Sequence, residues 1–456
     1  MAGSANGPYA DLFQERSFGP FLLAGAFQLA APSGVQVILL FSVALAYPAA
    51  DRTTFGALAL AFLGLSSTIP TLLTAVFSGA FADRHDRGVL MRTANLCALL
   101  ATAGLAADLV LRPGGRVPFP GPHGFYIPEW LLLSYPAWAA VAATSTLFRP
   151  AYNTLVPRFV EPEALGRANG LIYAVAAIAS AIATVSVGLL LTVGPSEYAL
   201  AIPFVLFFAT QVTLLFIHTD LSVERRASTR RPIWTDAREG FSYLLHRRDL
   251  LEITVAALLI NFLTAVALVE LALYVVSWLG LVQGIYYGAM VAAATLGTAT
   301  GFLLIGHIRF EARAGRVMIL LVFAMAASLL ALGSVRSIWL ALPILFAYGL
   351  APGMITTVFL STIQATVPDE KMGRVFAADE LGSFSLVPAG QWAGGLLTLA
   401  IGVQGVFLFA GSAVGVLGLT MLGTFGALRS LGYDPNRPPG GDEPADGPGE
   451  AKARPG

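Results

Sequence analysis

A single glutamate stands in the middle of NFLTAVALVELALYVV, residues 261–276, with no other charged side chain in the stretch. A carboxylate inside a bilayer costs several kcal/mol or more, so an ionisable group there points first to function. Glu270 is stable among apolar neighbours when it carries a proton and costly when it does not, which suits proton coupling. The bland alternative is a protonated structural acid bonded between helices. Tyr274, one helical turn on, is placed to hydrogen-bond it. Asn261, nine residues back, falls on the opposite side of the same helix.

Other polar side chains interrupt apolar runs in similar ways. Asp379 and Glu380 enter an apolar stretch near its start, and Glu380 shares a helix face with Gln391. Acids in a first helical turn are also favoured by the dipole, so Glu380 is a second candidate for proton handling beside a structural reading. Gln28 and Gln36 lie eight apart with Pro32 between them, on one face of a kinked helix. Buried amides must find partners, so these two line a cavity or bond a neighbouring helix. Gln28, Gln36, Tyr274 and Gln391 are the candidate cavity residues.

The third feature is a charged turn, GAFADRHDRG, residues 79–88, between two long apolar runs. Arg84 and Arg87 suit a headgroup anchor. Asp83 is badly placed for its own helix, because a carboxylate at a helix C-terminus opposes that helix's dipole. It makes sense when it faces the positive N-terminus of another helix, and the eleventh apolar run begins on the same side.

Other chemistries lack their residues. No G-x-x-x-x-G-K-[ST] loop is present, so no nucleotide engine is expected. The five histidines are scattered, Cys97 is the single cysteine, and neither a metal site nor a Ser/His/Asp arrangement emerges; no cofactor is expected.

These residues must be held by membrane helices. Of the 456 residues 56% are hydrophobic, and only 12% are charged. A mean hydropathy of +0.73 leaves too little polar surface to cover a globule. Apolar runs near the ~20 residues needed to cross a bilayer recur throughout. They predict an all-α membrane protein of twelve transmembrane helices, near 18–46, 54–82, 89–111, 128–150, 166–193, 198–217, 250–279, 284–308, 315–334, 338–366, 373–402 and 404–428. Of the 27 Lys and Arg, all but Arg52, Arg112, Arg116 and Arg336 fall on one side of this topology, which puts both termini in the cytoplasm. Residues 1–17 lack a basic region ahead of a short apolar core, so the first span is expected to direct targeting to the cell (inner) membrane. Zero net charge gives no reason to expect a nucleic-acid partner.

The chain also echoes itself. VEPEALGR (160–167) and VPDEKMGR (367–374) align at an offset of 207, each ahead of the fifth span of a six-span half. This predicts two pseudo-symmetric six-helix bundles, 18–217 and 250–428. A cytoplasmic segment (1–17) precedes them, a linker (218–249) joins them and a Pro/Gly/acid-rich tail (429–456) follows. Within the linker, Trp234 to Leu245 is expected to form an amphipathic surface helix. Segment 112–128 reads as a Pro/Gly loop. In transporters built this way, substrate sits between the halves near mid-membrane.

The turn at 79–88 resembles the signature between helices 2 and 3 of the major facilitator superfamily, G-x-x-x-D-R-x-G-R-[RK]. Gly79, Asp83, Arg84 and Arg87 match; Asp86 replaces the usual Gly, and Gly88 a basic residue. The twelve spans extend the resemblance over residues 18–428. FRPAYNTLVPRFVEPEALGRANG (148–170) looks like the drug, macrolide and siderophore exporter branch. Helix 4 departs from that branch in lacking a mid-membrane Arg. Helix 5, VAAIASAIATVSVG, lacks the Gly-Pro-Gly-Gly signature, and helix 1 has no acid. The resemblance implies a cytoplasmic latch in which Asp83 caps helix 11 while Arg84 or Arg87 pairs nearby acids.

Together these features lead us to expect a monomeric secondary transporter, driven by protons, exporting amphipathic or hydrophobic small molecules by alternating access. A lipid or lysophospholipid transporter and a solute importer of the same fold are the alternatives within the class; a non-transporting receptor is the alternative outside it.

Overall fold

The computed structural model describes residues 10–13, 15–84, 86–111, 114–118, 124–153, 155–160, 165–217, 233–305, 313–367 and 369–432. They form sixteen α-helices. The first seven are α1 (Phe18–Ala46), α2 (Ala57–Arg84), α3 (Arg87–Leu111), α4 (Leu131–Asn153), α5 (Leu165–Val193), α6 (Ser196–Ala199) and α7 (Ala201–Leu215). After α8 (Ile233–His246) come α9 (Arg248–Leu268), α10 (Leu271–Leu273), α11 (Gly284–Ile305), α12 (Ala314–Ser334) and α13 (Ile338–Thr366). The chain closes with α14 (Asp369–Phe384), α15 (Val387–Thr424) and α16 (Gly426–Ser430).

Among the described residues, eleven stretches are long and apolar enough to cross a membrane. The last, Ala378–Thr424, has 47 residues. A straight helix of that length is ~70 Å, more than twice a ~30 Å hydrocarbon core. It does not run straight: Gly402 inside it takes φ 70° and ψ 167°, a backbone that glycine alone adopts easily.

Helix pairs sort into two groups. In the first, α1 packs on α5 and α7, and α4 on α2 and α3. In the second, α15 packs on α9 and α12, and α11 and α12 pack on α13. Small residues let backbones meet without a side chain between them. Gly297 and Gly301 of α11 face the carbonyls of Phe346 and Leu350, and Gly390 and Gly394 of α15 face those of Phe262 and Val266. Two seams join the groups, α5 with α11 and α2 with α15. Along the first, Gly188 abuts Gly284 and Gly288 abuts Thr184.

Two expected helices are interrupted. The seventh span breaks at Val269–Glu270, where the Glu270 amide bonds back to Ala267 O over three residues instead of four. The eleventh breaks at Ser385–Leu386. Pro388 has no N–H to bond four residues back, which favours a break there. This overturns the shared face expected of Glu380 and Gln391, because no continuous helix connects them.

Two segments outside the spans carry more structure than, or other packing than, their composition suggested. Arg116–Pro118 and Tyr126–Pro128 pair as an antiparallel ribbon within the Pro/Gly loop. Helix α8 forms where an amphipathic helix was expected, and its buried Leu244 joins Leu250, Ile363, Val367 and Val375. Glu239 and Arg374 tie α8 to α14 with an ion pair of 2.6 Å. The linker up to residue 232, segment 306–312 and the tail from 433 lie outside the described residues.

Candidate functional site: a neutral cavity between the halves

A cavity of about 260 Å³ opens between the two groups of helices. Its apolar wall includes Leu40, Leu63, Trp138, Leu268 and Phe384. Three amides, Gln36, Asn261 and Gln391, line it together with Ser67 and Thr264, and among the described residues no lining side chain is charged. A neutral site of this kind favours neutral guests, because a desolvated ion would have no counter-charge.

Each amide is positioned differently. Gln36 is exposed on α1 and makes no hydrogen bond among the described residues. Asn261 donates its Nδ2 to Ser383 O at 3.0 Å, a carbonyl at the break that ends α14. Gln391 accepts a hydrogen bond of 3.0 Å from Thr68 Oγ1 on α2.

Two of the four expected cavity residues are therefore present, Gln36 and Gln391. The other two stand elsewhere. Gln28 is 2% exposed, and neither of its amide atoms has a partner among the described residues. Tyr274 is wholly buried and donates its hydroxyl to Leu332 O at 2.8 Å, against α12. It does not bond Glu270, which corrects the sequence expectation. The backbone keeps the two one turn apart, with the Tyr274 amide bonded to Glu270 O at 2.8 Å, and the Tyr274 hydroxyl takes the α12 carbonyl in preference to the carboxyl.

Glu270 is 0% exposed, and neither carboxyl oxygen makes a hydrogen bond of full geometry. Thr398 on α15 is its polar neighbour. The residue sits at the break of the seventh span, between Val269, which lines the cavity, and Leu273, which packs toward Gly56 on the opposite half. Glu380 lies on an exposed face of α14 outside the cavity lining. Its neighbour Asp379 is the buried acid, accepting from Thr254 Oγ1 at 2.6 Å and from Ser383 Oγ at 3.2 Å.

In the charged turn, Gly79, Asp83 and Arg84 fall in the part of α2 whose side chains are outside the described residues. Arg87 opens α3 and is half-buried. Asp86, the residue that departs from the family pattern, accepts the Val89 amide at 2.8 Å and so caps α3. A Gly there would leave that amide without its side-chain partner.

The family model described as Major Facilitator Superfamily matches residues 18–390. The chain belongs to the major facilitator superfamily. This member is a multi-pass transporter and not an enzyme. Among curated relatives, the transporter is similar to an uncharacterised MFS-type transporter, YvqJ, of Bacillus subtilis (strain 168). The two are 24% identical over 305 residues, covering 65% of this chain and 70% of the relative. Among solved structures it resembles the xylose transporter XylE from E. coli, in a partially occluded inward-open conformation. That match has a TM-score of 0.64 at 11% identity, over 90% of this chain and 98% of the other. The nucleoside transporter NupG is similar with a TM-score of 0.66 at 11% identity, over 89% of this chain and 99% of the other. At these identities the likeness concerns the fold.

Of the functional geometry, Thr68, Gly64 and Asn261 went unassigned as site residues in the sequence. Asn261 had a signal, an amide in an apolar helix; Thr68 and Gly64 had none, since their role exists only across the seam.

Proposed function

We propose that the transporter is a proton-coupled secondary carrier that exports neutral amphipathic or hydrophobic small molecules by alternating access. The observation that carries this reading is one pairing. An uncharged cavity with apolar walls and three amides lies between the halves, and an isolated carboxyl, Glu270, is buried at a helix break beside it. Glu270 carries the proton, since in its surroundings the charged form is costly. Gln36 and Gln391 orient the substrate. The turn at Gly79, Asp83, Arg84 and Arg87 serves as the cytoplasmic state latch.

The chain crosses the membrane twelve times, with both termini in the cytoplasm. Support comes from the Gly402 break and from the distribution of Lys and Arg. Import of a neutral polar solute is the second reading. The three amides favour it, and xylose and nucleosides are the solutes named for two of the fold relatives.

Transport in proteoliposomes with an imposed pH gradient tests both. Labelled neutral amphipathic compounds are expected to accumulate against their gradient with wild type and to equilibrate without accumulation with Glu270→Gln. Accumulation indifferent to the pH gradient removes proton coupling. Accumulation of free sugars or nucleosides in its place supports the import reading.

A further inference from the structure

One wall of the cavity is also part of the seam between the halves. Thr68 on α2 and Gln391 on α15 meet there in the 3.0 Å hydrogen bond described above. Gly64, one turn before Thr68, forms the notch that receives the amide. A Cβ on Gly64 would stand 2.8 Å from Gln391 Cδ, 2.9 Å from Oε1 and 3.2 Å from Nε2. Beyond this contact, Phe62 meets Trp392 edge-on at 4.9 Å between ring centroids, and Gly395 fits against Ala57 and Ala61.

One side chain thus faces two ways. Gln391 lines the cavity and closes the seam. Its carbonyl oxygen has two lone pairs. One is taken by Thr68, and the oxygen lies beside Gly64 of the same helix. A donor arriving from the cavity must compete with the Thr68 hydroxyl. The neighbouring amides leave complementary groups open: Asn261 has spent one side-chain N–H on Ser383 O, and its side-chain Oδ1 accepts no hydrogen bond among the described residues.

We propose that Gln391 couples substrate binding to opening: a neutral amphipathic molecule that donates a hydrogen bond to Gln391 Oε1 displaces Thr68 and loosens the α2–α15 seam. The proposal rests on the cavity being the transport site, and it narrows the substrate class to molecules carrying a hydroxyl or amide donor beside an apolar body. A molecule of the same shape without the donor fills the cavity, leaves the bridge intact and acts as an inhibitor. Gln391 is the substrate-contacting residue here, and Thr68 is the positioning residue that acts through it.

The test uses the purified full chain with spin labels at Ala50→Cys and Val282→Cys, both exposed positions, in a Cys97→Ser background. Losing one neutral hydrogen bond is expected to raise the ratio of open to closed populations by about 3- to 10-fold in Thr68→Val. Thr68→Ser is expected to restore the wild-type distribution. Gly64→Ala, which evicts the amide by another route, is expected to reproduce the Thr68→Val shift. As neutral probes, 2-naphthol should lengthen the distance in wild type, whereas its methyl ether should not while it quenches Trp138; in Thr68→Val the naphthol adds nothing. Unchanged distances in both Thr68→Val and Gly64→Ala overturn the proposal, as does an equal shift from naphthol and ether. Failure of the transport reading looks different: no gradient-driven flux in wild type, with the bridge effects intact.

Discussion

Gly188→Ala probes whether the α5–α11 seam is a closed gate. A Cβ on Gly188 would lie 2.7 Å from Gly284 O and 3.1 Å from Ile285 Cα. Relaxed carbon–oxygen contacts fall near ~3.3 Å, so α5 and α11 must part by roughly half an ångström or more at this point. Both opposing atoms belong to the backbone, so no rotamer change relieves the clash. Overpacking of this kind costs about 1–3 kcal/mol. At ~1.4 kcal/mol per tenfold, that is about a 5- to 150-fold shift in population. The cost falls only on the state in which the halves touch along this seam. The population therefore moves toward the state open at the face bearing the α1–α2 connection. The assay is the reaction of Ser67→Cys, a cavity-lining position, with an impermeant maleimide supplied from that face, in a Cys97→Ser background. Labelling is expected to rise at least about 5-fold. Gly104→Ala, whose Cβ would meet nothing within 4 Å, should leave it unchanged. A folded Gly188→Ala protein that labels at the wild-type rate would show that the seam is a fixed contact and not a gate.

Four further outcomes follow from the same contacts. Tyr274→Phe removes the hydroxyl from Leu332 O and Val335 O and should lower stability by about 1 kcal/mol in thermal unfolding, with KM for transport unchanged. Gln36→Leu removes an amide that faces the cavity and should raise KM by roughly 2- to 10-fold without altering stability. Glu252→Ala strips the Leu428 amide of its 2.8 Å acceptor, undocking α16 at a cost of about 1–3 kcal/mol, read as a lower Tm. Asp379→Ala frees the Thr254 and Ser383 hydroxyls and should slow transport, while Glu380→Ala, on an exposed face, should leave the rate at the wild-type level.

The helical fold was legible because lipid removes the competing patterns: an apolar run of spanning length has few outcomes other than a helix. Glu270 was legible for the same reason, since one acid in sixteen apolar-dominated residues cannot hide. Breaks were harder to read. Pro388 offered a cue to the interruption before it, but Val269–Glu270 holds neither Pro nor Gly, so its turn comes from packing. Tyr274 stayed one turn from Glu270, yet its hydroxyl reached the α12 carbonyl of Leu332, a long-range partner that no local pattern marks. Gln36 and Gln391 were readable as amides that need partners; Thr68 is one of many hydroxyls able to bond its own helix, and nothing local marks it as reaching across. Gly64 likewise reads as one small residue among many until Gln391 is seen in its notch.

Proton flux through the carrier is the decisive readout of coupling. Proteoliposomes holding an internal pH indicator receive a neutral amphipathic compound, and the pH change is followed for wild type and Glu270→Gln. Wild type is expected to move protons in response to the compound, and Glu270→Gln to move none while still exchanging the compound down its gradient. Equal proton flux in the two proteins would contradict the account, because the buried carboxyl would then have no part in coupling.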